Sequence, residues 1–145
     1  ILENLTGIEN LMPDWSFEGA GLHLIKSGGK LSVHSDYNRH PRKNYYRRIN
    51  LILYLNENWR ESWGGTLQIW KKDTLEMISE FLPYAGKAMI FNTTDNALHG
   101  HPKPLNSPEG INRVSLVLYY FTKDRPQHEK SDIMSAQWYE TGISK

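Results

Sequence analysis

His34-Ser35-Asp36 places two metal-ligating side chains two residues apart. In an extended strand, side chains alternate between faces, so an imidazole and a carboxylate at i and i+2 point the same way and can grip one ion. The chain has no cysteine, which removes thiolate zinc sites, iron–sulfur clusters, disulfide frameworks and cysteine nucleophiles; a metal here must be held by nitrogen and oxygen. A His-x-Asp pair is common by chance, and a third ligand gives it weight. Two stand downstream, His99 and His101 in Leu98-His99-Gly100-His101-Pro102. They share strand parity with each other, and either would complete a set of two imidazoles and one carboxylate.

Such a facial set leaves coordination positions open to small molecules and is the donor set of non-haem ferrous sites. A second signal is Arg113-Val114-Ser115 on a strong apolar run. Arg113, Ser115, Val117 and Tyr119 share one face, and an arginine on an inward strand face is costly unless a carboxylate or phosphate meets it. Its fork and the nearby hydroxyl suit a carboxylate. A third signal is the stretch from Tyr37 to Arg48, which holds Arg39, Arg42, Lys43, Arg47 and Arg48 with no acid, interleaved with Tyr37, Tyr45 and Tyr46. Because it follows the His-x-Asp pair directly, Arg42 and Lys43 are expected at the mouth of the site, facing a substrate with negative charge. His23, His40 and His128 read as hydrogen-bonded or solvated, and the segment Ser27-Gly28-Gly29-Lys30 lacks the spacing of a phosphate loop.

These residues need a scaffold, and the sequence points to strands. Residues 1–14 carry Leu2, Leu5, Ile8 and Met12 at helical steps until Pro13. Strand signals then dominate at residues 21–26, 30–36, 48–56, 66–70, 87–92 and 112–122, separated by glycine and proline turns. Residues 48–56 (RINLILYLN) are apolar at both parities, as expected for a strand covered on both faces. Residues 71–80 are polar and read as one helical turn or more; in the tail, Ile133, Met134 and Trp138 are candidates for a docked helix face. A chain of 145 residues with no divider reads as one domain: an N-terminal helical segment (1–18), a β core (19–122) and a C-terminal tail (123–145). The fold class expected is an all-β sandwich or barrel with peripheral helices. A net charge of +1 gives no field that would favour nucleic acid or an anionic membrane. No apolar run approaches the roughly 20 residues that span a bilayer, so a soluble, cytoplasmic chain is expected.

The order of these motifs resembles a known family. Residues 28–36 (GGKLSVHSD), the strand ending Tyr54-Leu55-Asn56, then Trp63-Gly64-Gly65-Thr66-Leu67, His99-Gly100, Arg113-Val114-Ser115 and Tyr119-Tyr120 are similar to the prolyl 4-hydroxylase-like branch of the Fe(II)/2-oxoglutarate-dependent oxygenases, from about residue 19 to residue 122. The resemblance implies a double-stranded β-helix of the jelly-roll or cupin kind, with Fe(II) held by His34, Asp36 and His99. His99 is preferred to His101 because the family sets this histidine directly before a small residue. It implies 2-oxoglutarate as cosubstrate, its distal carboxylate bound by Arg113 with help from Ser115 and Tyr54, and its pocket walled by Leu67. It also implies O2 as oxidant, succinate and CO2 as coproducts, and hydroxylation of a C–H bond in a prolyl residue or a small metabolite. The carboxylate at Asp36 favours hydroxylation over halogenation. Asn50, inward with Tyr54, joins Arg42 and Lys43 as a candidate substrate contact. One departure stands out: many prolyl hydroxylases carry a tyrosine near the position of Leu24 or Ile25. The competing readings are a non-catalytic β-barrel that binds a metal or ligand, and a nucleic-acid-binding barrel using the basic stretch, the latter disfavoured by the neutral charge.

Overall fold

The computed structural model of the chain describes all residues except 132–134 and 143–145. Its strands form two five-stranded antiparallel sheets. In the first, β1 (Met12–Pro13) and β2 (Gly21–Ile25) pair with different stretches of β9 (Arg113–Thr122), which pairs with β4 (Tyr46–Tyr54), and β4 with β7 (Ala88–Asn92). The second runs β10 (Gln137–Tyr139), β3 (Leu31–Ser35), β8 (Leu98–His101), β5 (Leu67–Trp70), β6 (Met77–Phe81). From β2 to β9 the chain passes back and forth between the layers, except at the β5–β6 hairpin within the second sheet, giving the double-stranded β-helix expected from the sequence. No described helix is long and apolar enough to cross a membrane.

The strand pattern decides what faces inward. On β9, burial alternates, with Arg113, Ser115, Val117, Tyr119 and Phe121 buried and Val114, Leu116, Leu118 and Tyr120 only partly so. Residues paired across strands share a face, so Tyr54, Ile52 and Asn50 on β4, opposite Ser115, Val117 and Tyr119, also look inward. Ile52, Tyr54, Leu67, Val117, Tyr119 and Phe121 form the main core cluster; Val33, Trp70 and Leu98 form a smaller one. The ladder slips between Arg47 and Ile49, where Arg47 opposes Phe121 and Ile49 opposes Tyr120. Arg48 is thus the extra residue of a β-bulge, and the bulge turns Arg47 inward while Arg48 bonds to Thr122 and Glu129.

The outer face of the first sheet is aliphatic across four strands. Leu22 and Leu24 of β2 lie opposite Leu116 and Val114, Leu53 and Leu51 of β4 continue the rows beside Leu116 and Leu118, and Ala88 and Ile90 of β7 complete them. Leu22 is 67% and Leu24 52% exposed. The two-sided apolarity of residues 48–56 is therefore real, yet the described residues leave much of the outer side to solvent.

Three expectations change. The N-terminal helix is confined to α1 (Leu2–Thr6), closed by Gly7 in the left-handed conformation; Met12 and Pro13 instead pair with β9. Residues 71–80 are not helical beyond the turn at 72–74: the chain reverses and Met77–Phe81 adds an edge strand to β5, because a hairpin satisfies backbone groups that so polar a helix would leave poorly packed. Trp138 lies on β10, paired with His34, and not on a helix; Ile133 and Met134 lie outside the described residues.

Candidate functional site

Strands β3 and β8 bring the candidate ligands together. His34 opposes His99 across the ladder, and Asp36 follows directly after β3. Atoms of His34, Asp36 and His99 lie within 4.8 Å of one another. His34 Nε2 stands 3.6 Å from Asp36 Oδ1, and His99 Nε2 3.6 Å from Asp36 Oδ2. His34 Nδ1 donates to the Ser32 carbonyl and His99 Nδ1 to the Ala97 carbonyl, each at 2.9 Å. A carbonyl oxygen only accepts, so both protons sit on Nδ1 and both Nε2 lone pairs face the carboxylate. Three acceptors aimed at one point repel one another unless a cation lies between them; the donor set and its backbone supports fit Fe(II). Gly100 lets the two strands approach, since a Cβ there would lie 2.8 Å from the Leu31 carbonyl oxygen and 2.9 Å from that of Ser32.

Electrostatics keeps Asp36 ionised and His99 neutral. Burial alone would raise the Asp36 carboxyl, but the Arg47 guanidinium opposes burial, and the carboxyl is held well below the usual carboxylate range. Burial lowers His99 to about 4 against the pull of Asp36. Arg47 is fully buried. It donates from Nη2 to Asp36 Oδ2 at 3.0 Å, and Asn50 Nδ2 donates to the same oxygen at 3.1 Å. Its guanidinium carbon lies 3.4 Å from the Tyr119 ring centre and 4.6 Å from that of Tyr37, a cation–π clamp. Sequence parity misses Arg47, because without the bulge Arg48 would be the inward residue.

A cavity of about 470 Å3 opens beside the ligands, lined by His34, Asp36, Asn50, Leu67, His99, His101, Arg113 and Ser115 among others. Arg113 is anchored by Nε to the Gly65 carbonyl at 2.8 Å, and its Nη2 donates to the Tyr54 hydroxyl at 3.3 Å. Tyr54 accepts from Arg113, so its own proton is free to donate beside the guanidinium. Burial raises the Tyr54 phenol despite Arg113 and lowers Arg113 despite Tyr54. His101 lies on the same strand face as His99, 3% exposed, and burial, then Arg113 and His34, lower it to about 3. The structure thus brings together His34, Asp36, His99, Arg113, Ser115, Tyr54, Leu67 and Asn50. It does not bring Arg42 or Lys43 into the cavity lining: Arg42 Nη2 pairs with Glu18 at 2.8 Å, so its charge is already met. Near the position where many prolyl hydroxylases carry a tyrosine, Ile25 opposes Arg113 across the ladder. Trp138, exposed, stacks on His34 at 4.7 Å; its isolation in a polar tail is the signal available in the sequence.

Among solved structures, a prolyl-4-hydroxylase of Pseudomonas putida is similar with a TM-score of 0.52 and 24% identity, over 72% of this chain and 52% of that one. Prolyl 4-hydroxylases of Phytophthora capsici give 0.49 and 26%, over 68% and 30%. A prolyl hydroxylase in complex with a hypoxia inducible factor oxygen degradation domain peptide fragment from Trichoplax adhaerens gives 0.49 and 20%, over 69% and 41%. The first of these likenesses is one of fold, and the chain spans about half the length of that Pseudomonas enzyme. No curated protein sequence matches the chain. The sequence model of the 2OG-Fe(II) oxygenase superfamily matches residues 20–121, a span that carries every cavity residue named above, and the chain belongs to that superfamily.

Proposed function

We propose that the chain is a 2-oxoglutarate-dependent dioxygenase that hydroxylates an unactivated C–H bond in a prolyl residue or a small metabolite. The observation that carries this reading is the convergence of two imidazole lone pairs and one carboxylate beside a buried, anchored arginine in a single cavity. His34, Asp36 and His99 would hold the metal. Bound Fe(II) supplies the redox chemistry that couples O2 and 2-oxoglutarate to C–H oxidation, with succinate and CO2 as coproducts.

The chain's own residues do the positioning. The Ser32 and Ala97 carbonyls fix the imidazole tautomers, and Arg47 with Asn50 occupies Asp36 Oδ2. Arg113 receives the distal carboxylate of the cosubstrate in a bidentate or forked contact, with the Tyr54 hydroxyl as second donor and Ser115 beside it. Leu67, Ile52 and Val117 give that end of the cavity apolar walls, which strengthen the ion pair by excluding water.

The test is anaerobic titration of the purified chain with Fe(II) and then 2-oxoglutarate. A visible charge-transfer band is expected, absent in His99→Ala and weakened in Arg113→Ala. Binding of metal without 2-oxoglutarate would leave the non-catalytic metal-binding barrel as the reading.

A further inference from the structure

His101 is the one cavity histidine whose ring nitrogens are both buried without a hydrogen-bond partner among the described residues. His34 and His99 each satisfy Nδ1 on the carbonyl two residues earlier; His101 makes no such bond, although it sits on the same strand as His99. The converging ligand atoms are those of His34, Asp36 and His99 and do not include His101. A buried imidazole with neither nitrogen bonded is destabilising, so its orientation toward the cavity calls for a ligand group.

Its neighbours say which group. His101 stands two residues, roughly 6.6 Å of strand rise, along β8 from His99, and it shares the cavity with Arg113. Among the described residues, the single acid lining that cavity is Asp36, already bonded to Arg47 and Asn50. A ring N–H in the cavity that holds the Arg113 guanidinium, itself bonded to the Tyr54 hydroxyl, adds a donor to a cluster whose complement is a carboxylate.

We infer that His101 selects the cosubstrate, donating a ring N–H to the carboxylate received by Arg113, so that the pocket favours 2-oxo acids carrying a second carboxylate. This rests on the 2-oxoglutarate reading above. The test compares wild type, His101→Leu and His101→Gln, each loaded anaerobically with Fe(II), by calorimetric titration with 2-oxoglutarate and with 2-oxopentanoate, which has the same chain length and no distal carboxylate. Metal affinity is expected to be equal in all three. His101→Leu should bind 2-oxoglutarate about tenfold more weakly with 2-oxopentanoate unchanged, and His101→Gln, which keeps an N–H donor, should recover most of the loss. Equal 2-oxoglutarate affinity in wild type and His101→Leu overturns the inference and leaves the cosubstrate reading intact. A parallel loss for both oxo acids assigns His101 a packing role, and a loss of metal affinity makes it a ligand; either overturns the inference. Wild type that binds metal but no 2-oxoglutarate overturns both.

Discussion

Asp36 is held by its neighbours more than by its own strand. Arg47 reaches it from β4, buried and clamped between Tyr37 and Tyr119, and Asn50 adds a second donor to the same oxygen. Arg47→Ala removes the partner of a buried carboxylate, a change that costs about 3–5 kcal/mol, and a lost support of a ligand lowers metal affinity roughly 10–100-fold. Urea denaturation and Co(II) titration of the variant read the two effects separately; unchanged metal affinity would refute the positioning role. Arg113 has a comparable support in Gly65. At φ +72 and with a Cβ only 2.5 Å from Leu105 Cδ2 and 2.9 Å from Arg113 Cδ, Gly65→Ala is expected to weaken 2-oxoglutarate binding together with stability. Gly64→Ala is the control: it has φ +71 but open space around it, so it should cost about 1–3 kcal/mol of backbone strain and leave 2-oxoglutarate binding alone. At this scale strand parity and residue type single out His34, Asp36 and Arg113 but leave His99 and His101 open; the family resemblance alone prefers His99, whose ligand atom converges with those of His34 and Asp36. Arg47 is not legible in this way, since one bulged residue inverts parity and leaves no mark in the composition.

Elements were legible where alternation was strong and illegible where they were short. β4 and β9 announce themselves through long apolar runs. β6 does not, because an edge strand exposed to water needs little hydrophobic content; β10 has three residues, too few for alternation to show, and the spacing of residues 133, 134 and 138 suggests a helix face instead. The turn that leads into β2 is another such feature. Asp14 accepts bonds from Ser16 N at 3.0 Å, Ser16 Oγ at 2.5 Å and Glu18 N at 3.3 Å, and lies 3.6 Å from His40 Nε2. Burial raises its carboxyl, but these bonds and the charge of His40 outweigh burial, and its pKa lies below 3.8. A folded-state value below the unfolded one means that the unfolded chain binds the proton more readily, so this stability is present above pH 3.8 and lost as pH falls through the lower folded value. Wild type is expected to lose stability more steeply than Asp14→Asn below about pH 4, measured as thermal midpoints across pH; parallel curves would refute it.

The whole molecule divides its labour between two layers and leaves one of them partly bare. The aliphatic rows on the outer side of the first sheet, with Leu22 and Leu24 well exposed, are the kind of surface that promotes self-association. Leu22→Lys should raise the soluble limit of the chain without moving 2-oxoglutarate affinity, because Leu22 is 67% exposed on the outer face and does not line the cavity; light scattering against concentration and calorimetry check the two halves. The division of labour has a different result. The metal-ligand candidates all come from β3, β8 and the residue after β3, in one sheet, whereas Arg113, Ser115 and Tyr54 come from β9 and β4 in the other. A diacid that touches both groups measures the gap between the layers, and the sandwich acts as a ruler set by side chains that fill it from either side. On the proposed assignment, 2-oxoglutarate staples the sheets together and should raise the melting temperature of the metal-loaded chain, by about 2.7 kcal/mol of stabilisation at a hundredfold excess over its Kd. Oxaloacetate, one carbon shorter, and 2-oxoadipate, one carbon longer, should fall short of or overrun the span and leave the melting curve nearly where it was.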